Sequence, residues 1–153
     1  MSIEDKLKEL NIIIPKAPLP VGAYVAFKII NKLVYISGQL PINNQGEILK
    51  GKIGKQLNLE DGKKAAHFCC INIIAQLNLA CNNNLNNVKN CVKITGYVNS
   101  TEDFVDQPKI INAASELISN IFEEKGKHTR VAVSANSLPL GASVEIDAIF
   151  EIK

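Results

Sequence analysis

The alternation of apolar and polar positions divides the chain into short strand-like runs and two longer helical ones. YVAFKII at 24–30 and LVYIS at 33–37 are rich in β-branched and aromatic residues and flank Asn31-Lys32, which predicts a hairpin. From Asn58 onward the apolar positions Ala66, Cys70, Ile73, Leu77 and Ala80 recur at helical spacing. Asn58 is a good N-cap, and Glu60 and Asp61 sit in the first turn, where negative charge is favoured. This helix is predicted to run for about six turns and to end in NNNLNN at 82–87, read as a tolerated loop. VKNCVKITGYV at 88–98 predicts a strand. The segment after Pro108 predicts a second helix, with Ile110, Ala114, Leu117 and Ile121 on one face. Residues 130–136 and 143–152 read as a closing pair of strands joined by SLPLGA. At the other end, Ser2 and Asp5 signal the start of a short helix, and the prolines of KAPLPVG forbid its continuation. The stretch 38–54 is turn-rich and predicted irregular, with one short strand at Glu47–Lys50.

Strands outnumber helices in this order, and each long helix carries one apolar stripe. The simplest solution is an α+β fold: a mixed β-sheet with two long helices packed on one face and a short N-terminal helix. One domain over 1–153 is expected, with 1–15 as a helical extension.

Side chains alternate between the faces of a strand. Val25, Phe27 and Ile29, Val34 and Ile36, Val131, Val133 and Ala135, and Val144, Ile146, Ala148 and Phe150 are predicted to face the helices. Tyr24, Tyr35, Ser37, Thr95, Tyr97, Arg130 and Glu145 would share the other face. That face holds few of the lysines and glutamates of a solvated sheet, which suits contact with another subunit. Arg130 and Glu145 stand out. On pattern alone they read either as an ion pair across adjacent strands or as a site for a charged small molecule.

Composition narrows the function classes. Charged residues are 21% of the 153, the formal net charge is +2, the lysines are scattered and there is no tryptophan, so a basic or stacking surface for nucleic acid is not expected. No apolar run approaches the ~20 residues of a membrane span, and the N-terminus lacks the pattern of a secretory signal. A soluble, cytoplasmic protein is expected. Cys69, Cys70, Cys81 and Cys91 form no CxxC and no zinc-type spacing with His67 or His128, which predicts reduced core thiols and no metal.

PLPVGAY at 18–24, YISGQLPIN at 35–43, VKITGYVNS at 92–100 and RVAVSANSLPLGASVEIDAIFEI at 130–152 together resemble the RidA/YjgF family. The resemblance runs from about Lys16 onward. It implies a chorismate-mutase-like fold, a homotrimer with clefts between subunits, and no metal or organic cofactor. The implied activity is hydrolysis of reactive enamines and imines, such as 2-aminoacrylate, to 2-oxo acids and ammonia. Position by position, Arg130 matches the arginine that binds the substrate carboxylate, and Glu145 the glutamate that positions or activates water. Tyr24 and the Ser37-Gly38 pair match residues lining the same cleft. Ala132 stands where many members have cysteine, leaving only its backbone to contribute, and Ala23 replaces a proline. The N-terminal helix and the longer stretch before Asn58 place the chain nearer a longer branch. Two other functions stay open here: a non-catalytic 2-oxo acid-binding or regulatory module, and, third, the endoribonuclease activity of older family descriptions. The expected partner is a small molecule with a carboxylate, with neither nucleic acid nor membrane.

Overall fold

A computed structural model describes all residues, 1–153. The elements are α1 (Ile3–Glu9), β1 (Phe27–Ile30), β2 (Leu33–Gln39), α2 (Leu59–Ala80), β3 (Val88–Asn99), α3 (Gln107–Phe122), β4 (Thr129–Ala135) and β5 (Val144–Ile152). The five strands form one mixed sheet in the order β1-β2-β5-β3-β4, with only β3 and β4 parallel. Both long helices cover one face.

Local chemistry explains where the elements begin. Ser2 and Asp5 close a reciprocal capping box on α1, and Asn58 and Asp61 close another on α2. Asn31 and Lys32 both take positive φ, 47° and 67°, giving the hairpin a turn whose twist matches its strands. The asparagines at 82–87 have structural duties. Asn82 and Asn83 adopt the left-handed conformation that ends α2, and the Asn86 amide accepts from the Ile3 N–H while donating to Glu4. That clasp docks α1 onto the body.

The core lies between helices and sheet. Ile73, Ile74 and Leu77 of α2 and Ile110, Ile111, Ile118 and Ile121 of α3 meet Val34, Ile94, Ile146 and Phe150 of the sheet, all fully buried or nearly so. α3 comes close enough to β3 that a Cβ on Gly96 would lie 2.4 Å from Ile111. The four cysteines are free and buried, and burial pushes the Cys91 thiol up to about 12. No helix is long and apolar enough to cross a membrane.

Four sequence expectations need correction. The first strand starts at Phe27, so Tyr24 lies in the loop before it. Residues 47–50 form only isolated bridges. The closing strands do not pair: β5 lies between β2 and β3, and β4 pairs only with β3 at the sheet edge. Most consequentially, β4 is turned over relative to the expected faces. Arg130, Ala132 and Ser134 stand beside Ile94, Gly96 and Val98, whose side chains or space belong to the helical face, while Val131 and Val133 project onto the open face, 44% and 41% exposed. The cause lies in α3. Its flank over the edge strand carries the polar residues Asn112 and Ser115, so the helix side offers β4 hydrogen bonds rather than an apolar slot.

Candidate functional site

On the open face, β5 presents Glu145 and Asp147 beside Tyr97 and Thr95 of β3. Both carboxylates are half-buried, and their pKa values lie above the ordinary range. For Glu145 the main cause is burial, with the neighbouring Asp147 charge adding to it. For Asp147 burial also dominates, opposed by Thr95 and Lys93. Glu145 therefore tends to hold its proton closer to neutrality than a solvated glutamate would.

The pairing of β2 with β5 slips between Ile36 and Gln39, and Ser37 and Gly38 occupy the slip. Gly38 is where the absence of a side chain matters. A Cβ there would lie 2.2 Å from Oε1 of Glu145, so glycine leaves the space that the carboxyl group fills. Ser37 bonds to the chain leading into β1: its N–H donates to the Ala26 carbonyl at 2.9 Å and its hydroxyl to the Val25 carbonyl at 2.7 Å. Farther back, the buried Gln76 amide of α2 donates to the Pro18 carbonyl at 2.7 Å, and Asn72 donates to the carbonyls of Leu40 and Ile42. Helix α2 thus fixes both segments that approach Glu145.

Between those segments lies a pocket of about 70 Å³ lined by Leu19, Val21, Tyr24, Gly38, Pro139 and Glu145 among others, none of its lining residues basic. Tyr24 also borders a wider groove of about 550 Å³ on the open face, with Lys28, Tyr35, Ser37 and Asp147. Tyr24 is 48% exposed. One chain therefore brings together Tyr24, Ser37, Gly38 and Glu145.

It does not bring Arg130 and Ala132 to them. Arg130 pairs with Ile94, which pairs in turn with Ala148. Glu145 sits three positions along β5 and points to the opposite face. An Arg130–Glu145 ion pair is excluded by this placement, and none of the six ion pairs includes either residue. Arg130, the single arginine of the chain, instead lies along α3. Its Nη1 donates to Asn112 Oδ1 at 2.7 Å and to Ser115 Oγ at 3.2 Å, and Nη2 makes a 3.5 Å contact with the Pro108 carbonyl. His128 joins this cluster, with Nε2 2.9 Å from Ser115 Oγ and Nδ1 2.6 Å from the Gly126 carbonyl. The sequence pattern assigns no role to His128, nor to Asn112 or Ser115. The available signal was their i, i+3 spacing on the polar flank of an otherwise apolar helix.

Comparison with known proteins agrees with the fold. Residues 4–151 match the family model described as "YjgF/chorismate_mutase-like, putative endoribonuclease". Protein TCP17 of Trypanosoma cruzi is 38% identical over 147 residues, covering 95% of this chain and 91% of that one. The crystal structure of Atu1372 from Agrobacterium tumefaciens superposes with a TM-score of 0.89 at 42% identity, over 99% of this chain and 94% of the other. RidA from an Antarctic Psychrobacter superposes with a TM-score of 0.59 at 27% identity, over 90% and 94%. With the mixed five-stranded sheet, helices on one face and a family match over nearly its whole length, the chain belongs to the RidA/YjgF family.

Proposed function

We propose that the protein hydrolyses 2-aminoacrylate-like enamines and imines to 2-oxo acids and ammonia, without a cofactor, in a cleft shared by two subunits of a homotrimer. The observation that carries this reading is Glu145: a half-buried carboxyl group with a raised pKa, held over Gly38 at a pocket that Tyr24 borders. Such a group suits proton transfer in both directions at a less acidic pH than a solvated glutamate would. Protonated, it delivers a proton to the enamine β-carbon, giving the iminium ion and leaving Glu145 ionised. Ionised, it takes a proton from the water that attacks C2. Glu145 returns that proton to the nitrogen of the resulting carbinolamine, ammonia leaves, and the C2 hydroxyl gives its proton back to Glu145 as the carbonyl of the 2-oxo acid forms. Tyr24, Ser37 and Gly38 line the reacting end, while Arg130 and the backbone of Ala132 belong to the carboxylate end.

The opposite facing of Arg130 and Glu145 supports a shared cleft, because a substrate of three or four carbons would need a second subunit to bring the two ends together. The apolar side chains left on the open face, Tyr35, Val131 and Val133, favour a subunit contact there.

A dehydratase generating 2-aminoacrylate in the assay supplies the test. Wild type should outpace spontaneous hydrolysis, and Glu145→Gln and Arg130→Ala should each be nearly inactive. Dissociating these two variants together and reassembling them should restore part of the activity, since some clefts would then combine an intact Arg130 with an intact Glu145. A wild type no faster than the spontaneous reaction overturns the deaminase assignment. Lack of complementation overturns the shared cleft.

A further inference from the structure

The surroundings of Arg130 carry a second inference, which rests on its reading as the carboxylate anchor. A guanidinium has five N–H donors in a rigid fork. Both Nη1 hydrogens are committed, one to Asn112 Oδ1 at 2.7 Å and one to Ser115 Oγ at 3.2 Å. Nη2 has a single long contact, 3.5 Å to the Pro108 carbonyl, and Nε has no protein partner. The Nε–Nη2 edge is thus left to form two parallel bonds with a carboxylate. Each group touching the guanidinium is a neutral acceptor, so its charge is not compensated within the chain.

His128 sets the direction of the Ser115 bond. The Gly126 carbonyl, 2.6 Å from Nδ1, can only accept, so Nδ1 bears the hydrogen and Nε2 is the acceptor. At 2.9 Å, Nε2 takes the hydrogen of the Ser115 hydroxyl and leaves the oxygen lone pairs to face Arg130. The polarity then runs one way, from the guanidinium through Ser115 and His128 to the Gly126 carbonyl.

We propose that Asn112 and Ser115, with His128 behind Ser115, are positioning residues that hold Nη1 and thereby aim the Nε–Nη2 edge of Arg130 at the carboxylate of a 2-oxo or 2-imino acid. They are not catalytic residues, since none of them touches the reacting carbon. A merely structural brace and a positioning device respond oppositely to one substitution. Asn112→Asp turns the neutral acceptor into a carboxylate, which strengthens the brace but neutralises the guanidinium.

The experiment is calorimetric titration of 2-oxobutyrate into the assembled protein, with melting temperatures measured alongside. Asn112→Asp should melt at or above the wild-type temperature and yet bind at least about tenfold more weakly. Ser115→Ala should weaken binding about five- to tenfold, the scale of one ordinary hydrogen bond, because Ser115 orients the guanidinium without touching the ligand, and Ser115→Thr should recover most of it. In turnover these variants should raise KM more than they lower kcat. Wild-type affinity in both Asn112→Asp and Ser115→Ala, with binding lost in Arg130→Ala, overturns the positioning role and leaves the anchor standing. Wild-type affinity in Arg130→Ala overturns the anchor itself, as would a wild type that binds no 2-oxo acid, and the positioning role falls with it.

Discussion

The two ends of the candidate cleft are built in different ways. Around Glu145 the sheet itself makes the site: a slip in the β2–β5 register places a glycine under a carboxyl group, and the pocket beside it exists in a single chain. Around Arg130 the sheet supplies only an edge strand, and a helix flank supplies the geometry through Asn112 and Ser115. The first end depends on empty space, the second on hydrogen bonds. Glu145 should therefore be sensitive to added volume, and Arg130 to altered polarity.

The largest expected effect divides the two ends physically. Val133→Asp places a charge on the open face without touching the core. For the proposed homotrimer it should reduce the mass found by light scattering from about three times 16.7 kDa to that of one chain, and abolish turnover while preserving the circular dichroism of the fold. A trimer that survives the substitution would move the subunit contact elsewhere.

Next comes Gly38→Ala. The added methyl meets the flexible end of Glu145 rather than backbone, so the carboxyl group should swing aside at little cost to the fold. Turnover should fall about 10²–10⁴-fold, the usual share of general acid–base catalysis, while 2-oxobutyrate affinity changes little. An active Gly38→Ala variant would mean that the position of the carboxyl group is not critical.

The smallest effect is thermodynamic. Burial raises the pKa values of Glu145 and Asp147 in the folded chain above those in the unfolded chain. The folded state then favours their protonated forms, so their contribution is fully present below the unfolded carboxylate range and is lost as pH rises through the folded values. Glu145→Gln and Asp147→Asn should accordingly raise the melting temperature by about 1–3 °C at pH 7 and confer no advantage at pH 3.5. A gain that persists unchanged in acid would point to packing rather than ionisation.

The same contrast explains what the amino-acid sequence disclosed. Glu145 was placed correctly because β5 is central and alternates without interruption, so its buried positions, Val144 to Phe150, fix the register of everything else. The strand β4 alternates cleanly, Val131 and Val133 against Arg130, Ala132 and Ser134, but it lies at a sheet edge beside the polar flank of α3, so its apolar side does not turn toward the helices as alternation alone implies. The strand expected around Tyr24 begins only at Phe27, after the proline-rich loop, whereas Ser37 does lie in β2, at the point where its register slips. Helix starts and the hairpin were legible because capping pairs and left-handed turn residues act over three or four positions. The Ser115–His128–Arg130 chain spans residues 13 and 15 apart, and only the crossover through α3 makes them neighbours.

The strand order has a consequence for how the protein is made. β5 is the last strand in the chain, yet it lies at the centre of the sheet between β2 and β3. Until it is synthesised, β1–β2 and β3–β4 are separate ribbons, each exposing an unpaired edge beside apolar side chains. Most of the sheet's pairing then forms between residues distant in sequence, a topology that folds slowly and leaves sticky intermediates. A nascent chain stalled before residue 144 should need chaperone protection. The step that ends this vulnerability, insertion of β5, is also the one that delivers Glu145 to its place over Gly38.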